Sequence, residues 1–374
     1  MTVAPGTIVL PPELRPSDGR FGSGPSKVRP EAVAALAKTA DSYLGTSHRR
    51  EGVRSVVRRI RGGLGELYAL PDGYEVLLGN GGPTAFWDAA AFGLIQQRSE
   101  HLAFGEFTSK FASVVAGAPH LDDPLVIESA PGTHPEWKSS AECDAFATAH
   151  NETSTGVTMA IRQPEADGLL LVDATSAAGA LRVDPHAFDA YYFAPQKAFA
   201  SEGGLWLALC SPAAIERVER IADTGRWQPP TLSLPIALEN SRLDQTYNTP
   251  ALATLFLLAD TIEWMLENGG LEWSASRCDR SAEIMYSWAE ASDVAAPFVQ
   301  NPSERSPVNA TIDFDGVTAD DIATALRANG IVDTESYRKL GRNQLRIAMY
   351  PAIEPDDIEI LTRAIDHIVG SLRS

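Results

Sequence analysis

A chain of 374 residues is too long for one small core and long enough for a large domain with a smaller companion. Hydrophobic residues make up 44% and charged residues 21%, the balance of a globular protein, and a formal net charge of −18 excludes the basic footprint of a nucleic-acid scaffold. An acidic total still permits an anionic ligand, because a few local arginines override a distant surface, so each arginine has to be placed individually.

The proline-rich opening, MTVAPGTIVLPPELRPSDGR, has neither a basic n-region nor an apolar core of sufficient length, so it does not read as a signal peptide. It is expected to pack against the C-terminal part of the chain or against a partner. Helical pattern covers Val53–Leu70, and GYEVLLGNGG (73–82) is a strand running into a glycine-rich turn. A helix opens at Pro83, where a first-turn proline is tolerated. Further strands are expected at His101–Phe104, Leu125–Glu128, Ala145–His150, Leu169–Asp173, Tyr191–Ala194 and Leu205–Cys210. This alternation predicts an α/β fold whose mainly parallel, seven-stranded sheet lies between helices.

After Pro212 the pattern changes. Helices are expected over 251–268 and 272–291, then an α+β tail: strand ATIDFD, helix 318–329, strands IVDTE and LRIAMY, and helix 355–370. Residues 20–255 are therefore expected to form the large domain. Residues 256–374, with the arm 1–19, form the small one. No run reaches eighteen apolar residues, since Asp260 and Glu263 interrupt ALATLFLLADTIEWML. Three scattered cysteines, Cys143, Cys210 and Cys278, suit a reducing compartment and offer neither a disulfide framework nor a metal site. A cytoplasmic protein is expected.

Lys197 is the lone lysine of AYYFAPQKAFASEGGLWLALCSP, between two buried strands, where a cation is expensive unless paired or chemically employed. Asp173 ends the strand GLLLVD, 24 residues earlier. Ligands of open α/β sheets sit at the carboxyl ends of strands, so the two should meet in one crevice. A lysine to bond the cofactor and a carboxylate to keep a pyridine nitrogen protonated are what pyridoxal phosphate needs. The competing explanation is a plain structural ion pair, or two unrelated strand-end charges. GNGGPTAFWDAA (79–90) adds a glycine turn leading into a helix start, whose free N–H groups suit a phosphate.

Beyond these residues, RFGSGPSKVRPEAV, GTSHRREGV, GNGGPTAFWDAAAFGLI, AHNETSTGV, VDATSAAG, YYFAPQKAFASEGGLWLA, DQTYNTPA and IVDTESYRKLGRNQLRIAMYPA stand in collinear order from about residue 20 to residue 352. In these stretches the chain resembles the phosphoserine aminotransferases, fold-type-I pyridoxal-phosphate enzymes, in their actinobacterial form. The resemblance implies pyridoxal 5′-phosphate as cofactor and amino transfer between L-glutamate and 3-phosphohydroxypyruvate, giving O-phospho-L-serine and 2-oxoglutarate. It leaves open activity on 4-phosphohydroxythreonine. By motif it makes Lys197 the covalent anchor and Asp173 the partner of the pyridine nitrogen. Gln196, Pro83 and Thr84 belong by the same motifs at the cofactor phosphate, and Thr153 among its hydrogen-bond partners. Asn248 and Thr249 would reach the phosphate of the other subunit's cofactor, which implies a homodimer with shared sites.

Two departures stand out. Where many members stack a tryptophan on the pyridine ring, GEFTSKF offers Phe107. Where many carry an arginine in the glycine turn for the substrate phosphate, this chain has Pro83 or Thr84. The resemblance gives substrate anions to His48, Arg49 and Arg346, the last taking the α-carboxylate; the roles of Arg50, Arg338 and Arg342 stay open. The main alternative is another fold-type-I aminotransferase, of the alanine:glyoxylate or serine:pyruvate type, acting on an unphosphorylated keto acid. A desulfurase would need a reactive cysteine near the cofactor; Cys210 falls in an expected buried strand, and Cys143 and Cys278 lie far from any motif.

Overall fold

The computed structural model describes residues 4–374, so the first three residues of the expected N-terminal arm lie outside it. The chain begins its regular structure with α1 (Pro30–Ala37) and α2 (Glu51–Leu67), followed by β1 (Glu75–Asn80) and α3 (Pro83–Gly93). There follow β2 (Ser99–Ala103), α4 (Glu106–Ala116), β3 (Leu125–Glu128) and β4 (Ala145–Ala149). A two-stranded hairpin, β5 (Asn151–Glu152) with β6 (Val157–Thr158), precedes β7 (Leu169–Asp173), β8 (Ala190–Phe193) and β9 (Leu205–Cys210).

The large sheet has seven strands in the order β1-β9-β8-β7-β4-β2-β3. Strands β8, β7, β4, β2 and β3 pair in parallel, while β9 is antiparallel to both β8 and β1. The expected sheet is thus present, with one reversed strand. Every residue of β7, β8 and β9 is buried, which is why these runs are continuously apolar rather than alternating.

The helices α5 (Pro212–Asp223), α6 (Leu234–Arg242), α7 (Leu252–Glu267) and α8 (Gly270–Ala291) follow. A three-stranded antiparallel sheet comprises β10 (Ala295–Pro297), β11 (Asn309–Phe314) and β12 (Gln344–Ala348), with α9 (Ala319–Ala328) and the last helix, α10 (Pro355–Arg373). The expected strand IVDTE does not form. Val332 bridges only to Arg20 and Glu335 only to Leu345, because Asp333 between them adopts a left-handed φ of 64° that breaks any shared ladder. The arm packs on the C-terminal elements: the Asn329 side chain bonds Leu10 N and Ile8 O, and Asp357 accepts from Ser17 N and Oγ. Among the described residues, no helix is long and apolar enough to cross a membrane.

Candidate active site

Parallel pairing of β4, β7 and β8 brings their carboxyl ends to one edge of the sheet, and the sequence places its chemistry there. Asp173 is the last residue of β7, Lys197 follows β8, Thr153 follows β5, and α3 starts at Pro83. A cavity of about 250 Å³ is lined by Lys197, Asp173, Thr153, Gln196, Phe107, Pro83 and Thr84, together with Gly24, Trp87 and Asn151. A larger, more open depression of about 340 Å³ between Gly105 and Lys339 holds neither Lys197 nor Asp173, so chemistry rather than volume selects the site.

Lys197 is 7% exposed. Its Nζ donates to Ser23 O at 2.8 Å and to Thr153 Oγ1 at 3.3 Å. Burial first, and the Arg346 charge second, push its pKa down from 10.5 to about 7. Among the described residues Lys197 and Asp173 make no ion pair within 4.0 Å, which removes the plain ion-pair explanation. Asp173 Oδ1 accepts from Thr175 N at 2.9 Å, and burial raises this carboxyl's pKa despite the hydrogen bonds that favour its charged form.

Phe107 is the second residue of α4, with its ring 5.7 Å from Lys197 Nζ. It is held by the buried Glu152 carboxylate, which accepts from the N–H groups of Phe107 and Thr108 at 3.1 and 3.0 Å and caps the helix start. Arg346, on β12, donates to Thr153 O at 3.4 Å and lies 5.3 Å over the Tyr337 ring, while its Nε has no partner. Arg342 is occupied elsewhere, bidentate on Asp313 and over the Phe298 ring. Arg338 is exposed, and Arg50 is the residue before α2.

The structure does not bring His48, Arg49, Asn248 and Thr249 into the Lys197 cavity. They form a second cluster. His48 Nδ1 lies 3.3 Å from Thr249 Oγ1, Asn248 Oδ1 accepts from Asn80, and Arg49 donates to Gln245 and, at 3.0 Å, to Tyr247 O. Asn248 and Thr249 are exposed, beside Tyr247 (46% exposed) and Leu243 (51%).

The cavity contains residues the motifs did not single out as site residues. Gly24 comes from the stretch before α1, beside Ser23 whose carbonyl accepts from Lys197, Asn151 from β5, and Trp87 from inside α3. Only the collinear match of RFGSGPSKVRPEAV hinted at the first pair. All three cysteines are buried, and none lines the cavity; burial pushes the Cys210 thiol up to about 12.

The model of the class-V aminotransferases matches residues 132–359. A Mycobacterium leprae relative is 59% identical over 369 residues, 98% of each chain. The phosphoserine aminotransferase of Rhodococcus jostii is 56% identical over 369 residues, covering 98% of this chain and 99% of its own. The chain belongs to the phosphoserine aminotransferases. A solved phosphoserine aminotransferase from Cytophaga hutchinsonii superposes with a TM-score of 0.85 at 23% identity, over 93% of this chain and 99% of that one, so the family's fold is shared as well.

The family is pyridoxal-phosphate-dependent, and the residues present fit that cofactor. Asn151 Oδ1 and Gln196 Oε1 are buried without a partner, on the cavity wall. The first turn of α3 has no side-chain cap, so N–H groups beside Pro83 and Thr84 are available to a phosphate. A neutral-leaning lysine and a buried carboxylate complete the set.

Proposed function

We propose that this chain transfers the amino group of L-glutamate to 3-phosphohydroxypyruvate, with Lys197 and Asp173 as its catalytic residues. The observation that carries the reading is Lys197: a buried amine with its pKa near 7, in a cavity whose walls offer unpartnered polar atoms. When bound, pyridoxal phosphate supplies an electron sink that lets a Cα–H bond of the amino acid break. Lys197 Nζ is neutral often enough at physiological pH to take that proton and charged often enough to return one, the match an acid–base group requires. Asp173 would keep a proton on the cofactor's ring nitrogen, Phe107 would offer its ring to the pyridine, and Gln196, Thr84 and the start of α3 would hold the phosphate. Thr153 bonds both Lys197 and, through its carbonyl, Arg346, so the lysine and the carboxylate-binding arginine are kept in register.

Arg346 takes the α-carboxylate shared by both substrates, and its free Nε supports this. His48, Arg49, Asn248 and Thr249 act at the site of a second copy of the chain. Their shared cluster, its exposure and its separation from the chain's own Lys197 support a homodimer with shared sites. Residues 20–255 serve as the cofactor-holding domain, and 256–374 with the arm as the smaller one, in a cytoplasmic enzyme. The test is a substrate panel. Glutamate-dependent turnover of 3-phosphohydroxypyruvate should exceed that of hydroxypyruvate and glyoxylate by orders of magnitude; parity with the unphosphorylated acids would sink the assignment.

A further inference from the structure

Asp173 is held by a side chain that no motif singled out, and that side chain is itself held by a second. Trp87, in the second turn of α3, is 2% exposed, and its indole Nε1 lies 3.3 Å from Asp173 Oδ2 and 3.1 Å from the Tyr192 hydroxyl. Tyr192, on β8, is fully buried. An indole N–H can only donate, so its proton is shared between the carboxylate and the phenol oxygen. The phenol keeps its own proton, since burial first and the nearby Asp173 charge second hold its pKa well above the usual value. Both rings are fixed by apolar neighbours: Phe86 stacks on Tyr192 at 4.4 Å and Phe111 lies parallel to Trp87 at 6.1 Å.

We propose that Trp87 and Tyr192 are positioning residues, which hold Asp173 as an oriented carboxylate for the ring nitrogen of the cofactor. The inference rests on the reading of this cavity as the pyridoxal-phosphate site. A buried carboxyl drifts toward its neutral form, and a neutral Asp173 could not keep a pyridine nitrogen protonated. The surrounding charges give mixed help. Glu152 on β5 disfavours the carboxylate and Lys197 favours it, while Tyr191 and His101 are neutral, the imidazole being held near 3 by burial. Thr175 N supplies the donor to Oδ1 and Trp87 Nε1 the donor to Oδ2, with the Tyr192 hydroxyl holding the indole N–H from its other side.

Trp87→Phe keeps an aromatic ring and deletes the N–H; Tyr192→Phe removes one oxygen and leaves the packed ring. The measurements are the dissociation constant of pyridoxal phosphate by equilibrium dialysis, the glutamate half-reaction rate and KM, and melting of the cofactor-free proteins. Trp87→Phe should weaken cofactor binding and slow the half-reaction roughly ten- to a hundredfold, the range for a lost hydrogen bond to a charged group. Tyr192→Phe should move both quantities in the same direction, with the KM for glutamate unchanged in either variant. Wild-type affinity and half-reaction rate in the folded variants overturn the proposal. A wild-type protein that retains no pyridoxal phosphate overturns the reading of the cavity itself.

Discussion

A Cβ built on Gly24 would lie 2.8 Å from both Cε and Nζ of Lys197. The Gly24 φ of +149° adds backbone strain to that clash for any other residue. Lys197 is therefore confined by a glycine that sits beside Ser23, the acceptor of its Nζ. Gly24→Ala should displace the amine and lower transamination at least roughly tenfold, since reacting groups tolerate little misplacement. Activity and visible absorbance of the purified variant check this; wild-type values for both would show that the lysine has room to spare.

Lys197 also makes a pH prediction. In the cofactor-free protein its pKa is about 7 folded against 10.5 ordinarily. Below pH 7 it is charged in both states, and folding bears the full burden of burying the charge. Between the two values the unfolded chain holds a proton the folded one lacks, so stability rises with pH and the burden is gone above about 10.5. Lys197→Met should accordingly stabilise the cofactor-free protein by a few kcal/mol, on the order expected for a shift this large, below pH 7. The gain should vanish toward pH 10. Denaturant melts of both proteins at pH 6, 8 and 10 measure it, and a gain independent of pH would refute the titration. The same variant should be inactive in multiple turnover.

Asp173→Asn removes the charge and keeps the shape. It should bind some cofactor yet lose orders of magnitude in the glutamate half-reaction, measured by stopped-flow absorbance. A near-wild-type rate would reject Asp173 as the proton holder on the ring nitrogen.

Sharing of sites between subunits is tested by mixing defects. An Arg49→Ala chain, weak on the phosphorylated substrate, and an inactive Lys197→Ala chain should together rise to about a quarter of wild-type turnover of that substrate when unfolded and refolded in equal amounts, because half of the dimers are hybrids and each hybrid has one intact site. No recovery would mean that Arg49 serves the site of its own chain.

Substrate discrimination separates the two arginine positions. Arg346→Ala should lower kcat/KM for glutamate and for the phosphorylated substrate alike, by roughly 1.5–3 kcal/mol of charge-assisted hydrogen bonding. Arg49→Ala should hurt the phosphorylated substrate more, since phosphate carries the larger charge and the glycine turn has no arginine of its own. Equal losses on both substrates for Arg49→Ala would show the phosphate pocket misplaced.

The sequence by itself determined the sheet, the lysine and its aspartate. Runs such as 169–172 are apolar throughout because both faces are buried, and strand ends in an open sheet share one edge, so chain order alone put Asp173 and Lys197 together. Local pattern did not reveal that Asp333 would break the strand IVDTE, since a single left-handed residue between two bridging ones leaves no periodic trace. Only the tertiary structure decided which groups surround the chemistry. Trp87, Gly24 and Glu152 stood in the sequence only inside longer matched stretches; their roles arise from contacts across 86, 173 and 45 residues of chain. The arginines show the same limit. Arg342 and Arg346 are four residues apart, yet Asp313 holds one while the other faces Thr153 with a free Nε, because the register pairs Asp313 with Gln344 at the start of β12, next to Arg342, and Arg346 with Thr311 further along.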